Sequence, residues 1–538
     1  MAARYEEIYR SFKWNVPEFY NFGFDVVDRR AEDRTKLALL SLSQDQTPST
    51  LSFYELKILS NRFANALIRN GIKKGDRVLI ILKSIPEWYV AMIGMIKLGV
   101  IPMPGTHLLT EKDIVYRLTS AESAAVITDA DNADVIDDAA KQCPTLAKKI
   151  MVRGTRAGWL SFEGEIAASA IELDRDSIDK TRSSDPMLLY FTSGTAGSPK
   201  MVLHSHAYPI GHEVTARFAQ SLTDRDLHWT VTDTGWAKCA WGKLFGQMIV
   251  GAAIIQWDSP GRFDADGLLQ AMERHGVTTF CAPPTVYRML IQADLGRYKL
   301  KLRHCMSAGE PLNPEVIKIW KEAYGLDIYD FYGQTETVCL ISNYPFMPIK
   351  YGSMGRPTPG HDVRIVDDEG KELPAGTEGE IALRLTGGRP PGLMIEYWKD
   401  RAEMDKSFHH GHYFTGDRGY MDEDGYFWFV GRGDDVIKSS GYRIGPFEVE
   451  SALIEHPAVA EAAVVGAEDP DGVRGVLVKA FIVLAKGFEP SEALTKELQD
   501  HVKKTTAPYK YPRLVQYMKE LPKTASGKIL RRELRKLK

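Results

Sequence analysis

The sequence predicts an α/β fold built on largely parallel sheets, followed by a small antiparallel unit and a compact α+β module. Three observations carry that expectation. The chain has 538 residues, and at roughly 150 residues per domain it divides into three or four compact units. Short apolar runs alternate with helix-like stretches, as crossover connections between parallel strands require. From Gly352 the texture changes to short strands separated by turn signals.

Taken in order, a helix carrying Leu56, Phe63, Ala66 and Leu67 leads to an apolar strand over Val78–Leu82 and a second helix over Trp88–Leu98. Gly71, Gly75 and Gly99 punctuate the turns. Further strands are predicted at Ala124–Thr128, Met187–Phe191, Ala252–Trp257, Thr278–Cys281 and Leu326–Tyr329. Asp367-Asp368-Glu369-Gly370, Pro374-Ala375-Gly376 and Asp422-Glu423-Asp424-Gly425 supply the turns of the antiparallel unit, about 352–431. Residues 1–431 form the predicted N-terminal domain, 432–434 a connection, and 435–538 the C-terminal domain. In the latter, a helix over Pro446–Ile454, strands over Val459–Val465 and Val476–Leu484, a helix over Ser491–Lys504 and a strand over Leu514–Tyr517 make a unit large enough to fold alone. The basic run Ile529–Lys538 is expected to close a last helix.

Composition narrows the function. Charged residues are 26% and hydrophobic residues 44%, the balance of a globular protein rather than a disordered or fibrous one. Lys and Arg total 68 against 71 Asp and Glu, a net charge of −3 that gives no reason to expect a nucleic-acid partner. Five cysteines, at 143, 239, 281, 305 and 339, form no CxxC pair, which argues against a disulfide framework and for a reducing compartment. Met1 to Trp14 has no apolar signal-like core, and the longest uncharged apolar stretch, Leu244 to Trp257, falls short of the roughly 20 residues of a membrane helix. The expectation is a soluble, cytoplasmic protein without a membrane span. His409, His410 and His412 lack the spacing of a zinc site, and no GxSxG string is present.

Five segments carry chemistry. Tyr190-Phe191-Thr192-Ser193-Gly194-Thr195-Ala196-Gly197-Ser198-Pro199-Lys200 follows a strand, and its small residues would present N–H groups and hydroxyls to a polyphosphate. It precedes a helix-like stretch and is not a Walker loop. Asp330-Phe331-Tyr332-Gly333-Gln334-Thr335-Glu336-Thr337 offers a ring for a base, a hydroxyl for phosphate and a carboxylate for magnesium from one strand-end loop. Asp417, in Tyr413-Phe414-Thr415-Gly416-Asp417, and Arg432, second in the segment 431–443, could clasp two ribose hydroxyls or form a surface ion pair. Leu521-Pro522-Lys523-Thr524-Ala525-Ser526-Gly527-Lys528 presents one lysine on a turn. His204 and His206, just after the first segment, are read as structural hydrogen-bonding groups.

In this order the segments resemble, almost letter for letter, the motif set of the AMP-forming acyl-CoA synthetases within the adenylate-forming superfamily. Thr232-Asp233-Thr234-Gly235-Trp236-Ala237-Lys238 and Ala507-Pro508-Tyr509-Lys510-Tyr511-Pro512-Arg513 are most similar to its medium-chain branch. The resemblance implies two mixed, largely parallel sheets sandwiched with helices, a barrel-like unit and a mobile C-terminal domain. It implies ATP, magnesium and coenzyme A as reaction partners, in a monomer or homodimer. It places Lys528 between carboxylate and α-phosphate, Thr192 to Lys200 on the outer phosphates, and Thr335 and Glu336 at the α-phosphate and magnesium. Asp417 and Arg432 would hold the ribose, Asp330 to Gln334 with Tyr332 foremost the adenine, and Gly309-Glu310-Pro311 its other side. Arg443 would touch phosphate. Asp434 would be the hinge, bringing Ser440, Gly441 and Tyr442 to the pantetheine, with Arg474, Lys503, Tyr511 and Arg513 at the CoA nucleotide.

For the acyl pocket, acetate-specific members of that family carry a tryptophan where this chain has Gly333, so a deeper pocket is expected. Trp236, Lys238, Trp241 and Cys281 are its predicted neighbours, and they suggest a medium-chain, branched or aromatic acid. The resemblance implies an acyl-CoA ligase acting on such an acid; the alternatives are an adenylation enzyme loading a separate carrier protein or a luciferase-like oxygenase.

Overall fold

The computed structural model describes residues 2–537 apart from 193–198, 260, 262, 434, 440–441, 469–475 and 524–528. Its largest sheet has nine strands. Six run parallel in the order Ile328–Gly333, His304–Ala308, Thr279–Ala282, Leu227–Thr230, Ala253–Trp257 and Leu37–Leu42, and antiparallel strands flank them on both edges. A second sheet is parallel throughout, with Arg77–Ile81 between Ile101–Pro104 and Ala125–Thr128. Both of its faces are covered. Val78 and Ile80 enter one core, while Leu79 and Ile81 enter another with Ile114, Leu118 and Ile136 of its crossover helices. Double coverage explains why these strands read as continuous apolar runs rather than alternating ones.

Helix Phe53–Arg69 begins at a capping box, in which the Ser52 hydroxyl accepts from the Glu55 amide at 3.2 Å and the Glu55 carboxylate accepts from the Ser52 amide at 2.7 Å. Helix Pro86–Lys97 opens with proline in its first turn and is buried on almost every side. It joins a core containing Ala38 and Leu39 of the nine-stranded sheet, Ala125 and Ile127 of the parallel sheet, and Val363 and Ile381 of the antiparallel unit. Lys97 inside it is fully buried and donates to the Asp28 carboxylate and the Asn61 amide oxygen, each at 2.6 Å.

The antiparallel unit comprises Val363–Val366, Gly379–Arg384, Phe408–His409, His412–Met421 and Phe427–Arg432. Toward the C-terminus, Val459–Glu468, Val476–Leu484 and Leu514–Tyr517 form a sheet packed with helices Pro446–Ile454 and Glu492–Thr505. Arg531 of the last helix donates to Glu450 at 2.7 Å, so this basic run is held by an ion pair within the protein.

Two expectations change. The strand predicted at Leu326–Tyr329 spans Ile328–Gly333, so Asp330, Phe331 and Tyr332 are strand residues and the loop begins at Gln334. Strand Pro186–Thr192 does not lead directly to a helix. It pairs antiparallel with Lys200–Ser205, and helix Tyr208–Val214 follows only after that strand. The phosphate-loop segment therefore joins two antiparallel strands, and no helix N-terminus immediately follows it.

Candidate active site

The site is assembled at the C-terminal ends of the parallel strands, where open α/β sheets place ligands. Period-two alternation decides which residues reach it. Phe280, Cys305 and Ile328 face the helices on one side of the nine-stranded sheet, whereas Cys281, Met306, Ala308 and Phe331 share a cluster on the other. Trp241 packs edge-on against Phe331 with ring centroids 4.9 Å apart. Lys238, one helical turn before Trp241, donates to the Ala308 carbonyl at 2.7 Å. Lys238, Trp241 and Cys281 thus come together as predicted neighbours, while the Trp236 indole N–H is buried with no hydrogen-bond partner among the described residues. Phe331 is committed to this apolar cluster, so its ring is not the one facing a base.

The strand end meets the antiparallel unit through one carboxylate. Asp417, buried, accepts from the Tyr332 hydroxyl at 2.5 Å and the Gln334 amide at 2.7 Å. Arg432 stands opposite Asp417 in register, its Nε 3.7 Å from Asp417 Oδ1. Gln334 also donates to the Thr415 carbonyl at 2.8 Å and accepts from the Tyr413 hydroxyl at 2.9 Å. The Tyr397 hydroxyl donates to Glu336 Oε1 at 2.9 Å, and the Lys200 ammonium lies 5.2 Å from the Tyr397 ring centre while pairing with Glu403. Desolvation raises the Glu336 carboxyl above the ordinary range, although Tyr397, Lys200 and Arg432 oppose it. Residues from four distant segments, near 200, 334, 415 and 432, therefore occupy one neighbourhood.

Asp330 lies deeper. Burial pushes its carboxyl up to about 8 despite a hydrogen bond from the Leu312 amide at 3.3 Å. Gly309, with φ of +106°, turns the chain beside Lys238, and the Glu310 carboxylate is engaged by Thr285 and Arg288 of helix Pro284–Leu290. Pro311 follows in the same turn. Thr192 and Lys200 are register partners at the root of their hairpin.

Gly333 reveals a constraint that its family pattern does not. A Cβ there would stand 2.3 Å from the Val338 carbonyl oxygen. Its φ is not left-handed, so close backbone approach is what demands glycine. On the C-terminal module, Lys503 and Arg513 gather around the Tyr511 ring at 4.3 and 4.8 Å, and Tyr442 stacks on Tyr509 at 4.2 Å. Ser193 to Ser198, Asp434, Ser440, Gly441, Arg474 and Lys528 lie outside the described residues, as does the Arg443 side chain. The histidines of 409–412 serve packing: His409 stacks on Phe414 at 3.9 Å, and a His412 ring nitrogen bonds the His410 carbonyl. Tyr397 and Glu403 were invisible to motif reasoning, because nothing in their local sequence marks them, whereas Tyr413 opens the segment that carries Asp417.

The sequence pattern of the AMP-binding enzyme family matches residues 25–398, and that of the AMP-binding enzyme C-terminal domain matches 448–528. The chain is 46% identical to Acyl-coenzyme A synthetase ACSM3, mitochondrial, of Mus musculus, covering 99% of this chain and 93% of that protein. It belongs to the AMP-forming acyl-CoA synthetases. Identity to Acyl-coenzyme A synthetase ACSM4, mitochondrial, of Rattus norvegicus is 47%, over 97% of this chain and 91% of the relative. Among solved structures of the family, the anthranilate CoA ligase AuaEII in complex with anthranoyl-AMP superposes with a TM-score of 0.88 at 33% identity, covering 97% of this synthetase and 98% of that chain. A benzoate CoA ligase from Burkholderia xenovorans LB400 superposes with a TM-score of 0.85 at 29% identity, covering 96% and 100%. The mitochondrial relatives overturn the cytoplasmic expectation, which rested on the cysteine pattern and on the lack of an apolar leader and of a membrane-length apolar stretch. Among the described residues no helix is long and apolar enough to cross a membrane.

Proposed function

We propose that this synthetase joins a carboxylic acid of medium size to coenzyme A through an acyl-adenylate, with ATP and magnesium. The observation that carries the reading is the neighbourhood in which Tyr332, Gln334 and Thr415 are hydrogen-bonded around Asp417, Arg432 stands beside that carboxylate, and Tyr397 holds Glu336 two residues from Gln334. In the first half-reaction the acid's carboxylate attacks the α-phosphate and pyrophosphate leaves. Charge crowding is the obstacle, so positioning and neutralisation supply the rate and no general base is needed. Thr335 and Lys528 are assigned to the reacting phosphate, Glu336 to magnesium, the loop from Thr192 to Lys200 to the outer phosphates, and Asp417 with Arg432 to the ribose. Tyr397 would hold the Glu336 carboxylate toward the metal, and Tyr332 would hold Asp417 toward the sugar.

In the second half-reaction the CoA sulfur attacks the acyl carbon, the thioester forms and AMP leaves with the bonding electrons. We assign Tyr442 to the pantetheine and Lys503, Tyr511 and Arg513 to the nucleotide, after rotation of 435–538 about Asp434. Lys238, Trp241 and Cys281 line the acyl side, supported by their common cluster with Phe331 and Ala308.

The test is pyrophosphate release with ATP and magnesium over acids from acetate to decanoate, with benzoate and branched acids, with and without CoA. Release that requires a medium acid and yields acyl-CoA and AMP in the presence of CoA is the expected result. Acyl-adenylate that accumulates and is never consumed by CoA would refute the thioester step and favour a carrier-loading enzyme.

A further inference from the structure

We propose that His204 is a positioning residue for adenylation, holding the peptide between Thr335 and Glu336 through a hydrogen bond to the Thr335 carbonyl. The inference rests on the reading above, in which those two residues serve ATP. His204 lies on strand Lys200–Ser205, immediately after the phosphate-loop hairpin, and is completely buried. Its Nε2 is 2.8 Å from the Thr335 oxygen. A carbonyl only accepts, so Nε2 carries the hydrogen and Nδ1 the lone pair. That tautomer is self-consistent, because among the described residues the buried Nδ1 has no partner and a proton placed there would be stranded. Burial drives the ring's pKa down to about 3, so it stays a neutral donor at any working pH. The ring plane is set by Tyr208, stacked on it with centroids 3.8 Å apart, and by Tyr190 approaching edge-on at 6.5 Å.

One bond at this oxygen has leverage because the peptide unit is planar. The Thr335 carbonyl lies in the same plane as the Cα atoms of both Thr335 and Glu336, so fixing the oxygen orients both residues at once. The next carbonyl is fixed as well: Glu336 O accepts from the Met394 amide at 2.8 Å. Gln334 and Thr337 close the other side, with the Gln334 amide donating to Thr337 Oγ1 at 3.0 Å. Through this bond His204 ties the loop to the hairpin bearing the phosphate-loop segment. The two phosphate-handling segments are thereby held in mutual register, a geometry that adenylation needs and acyl transfer to CoA does not.

The test compares His204→Gln, whose amide can replace Nε2–H, with His204→Leu, which cannot donate. Adenylation is followed by ATP-dependent pyrophosphate release, and transfer by conversion of supplied acyl-adenylate and CoA to acyl-CoA. Leaving the Thr335 carbonyl without its donor should lower kcat/KM for ATP about tenfold or more in His204→Leu. His204→Gln should recover most of that loss, and transfer should stay near the unmutated rate in both. Equal adenylation by His204→Leu and the unmutated protein would overturn the proposal, and so would parallel loss of both half-reactions. If His204→Leu does not fold, His204→Asn, one methylene too short, takes its place: reduced adenylation beside an active Gln variant supports the proposal, and equal rates overturn it. Glu336→Gln run alongside separates the two levels. Unimpaired adenylation by Glu336→Gln sinks the assignment of the loop to ATP, whereas its loss beside a fully active His204→Leu sinks only the role of His204.

Discussion

Gly333→Ala is the smallest change that tests how the strand end presents the loop assigned to ATP. The added Cβ would meet the Val338 carbonyl oxygen at 2.3 Å, its carbon at 3.1 Å and Cys339 Cα at 3.3 Å. Ordinary contact begins near 3.4 Å, so the overlap is 3.4 − 2.3, about 1.1 Å, and all three atoms are backbone. No side-chain rotation relieves it, and the turn 334–338 must move as a body. Overpacking of this size costs about 1–3 kcal/mol. If that cost falls on the population of the working loop, kcat/KM for ATP drops about 5- to 150-fold at 1.4 kcal/mol per decade. The loss should be uniform across acids, since the loop carrying Thr335 and Glu336 is displaced whatever acid is bound. Steady-state pyrophosphate release with a short and a long acid measures it. Undiminished turnover, or a change of chain-length preference at full kcat, would refute the reasoning and return Gly333 to the role of a mere pocket floor. The same clash means that Gly333→Trp shifts the loop as well as filling space.

Asp330→Asn should flatten the pH dependence of stability. With the folded carboxyl at about 8 and the unfolded one near 3.9, the folded state keeps a proton that the unfolded state releases between those values. Its stabilising effect is full below about pH 4 and is lost as pH rises toward 8, by a few kcal/mol. Thermal unfolding midpoints from pH 5 to 9 should therefore fall less in the variant, and parallel curves would refute the assignment. Lys97→Met leaves the half-buried Asp28 carboxylate without its partner and should cost up to about 3 kcal/mol in urea unfolding. Adding Asp28→Asn should restore part of that, and a double variant no more stable than Lys97→Met would show that the ion pair is not the cause.

Much of the architecture was legible because local rules agreed with the global fold. Pro446–Ile454, Val476–Leu484 and Leu514–Tyr517 appear with the bounds that periodicity and turn residues predict. Where reading failed, partners distant in sequence decided. The hairpin of Thr192 and Lys200 could not be told from a strand–helix turn, since the pairing strand lies beyond the loop. Ile328–Gly333 runs past its apolar stretch because His304–Ala308 and Cys339–Ser342 extend the ladder on both sides.

The sequence alone determined the chemistry on offer: a loop of small and hydroxyl residues suited to phosphate, the Thr335-Glu336 pair, Asp417, Arg432 and a late lysine, each carried by a residue type whose reactivity is intrinsic. Only the tertiary structure decided how those groups are held. Tyr397 reaching Glu336, Gln334 bridging to Asp417 and His204 fixing Thr335 are contacts between residues 61, 83 and 131 positions apart. Hydrogen bonds are short-ranged and directional, so their partners follow from how the sheets stack and not from any local pattern.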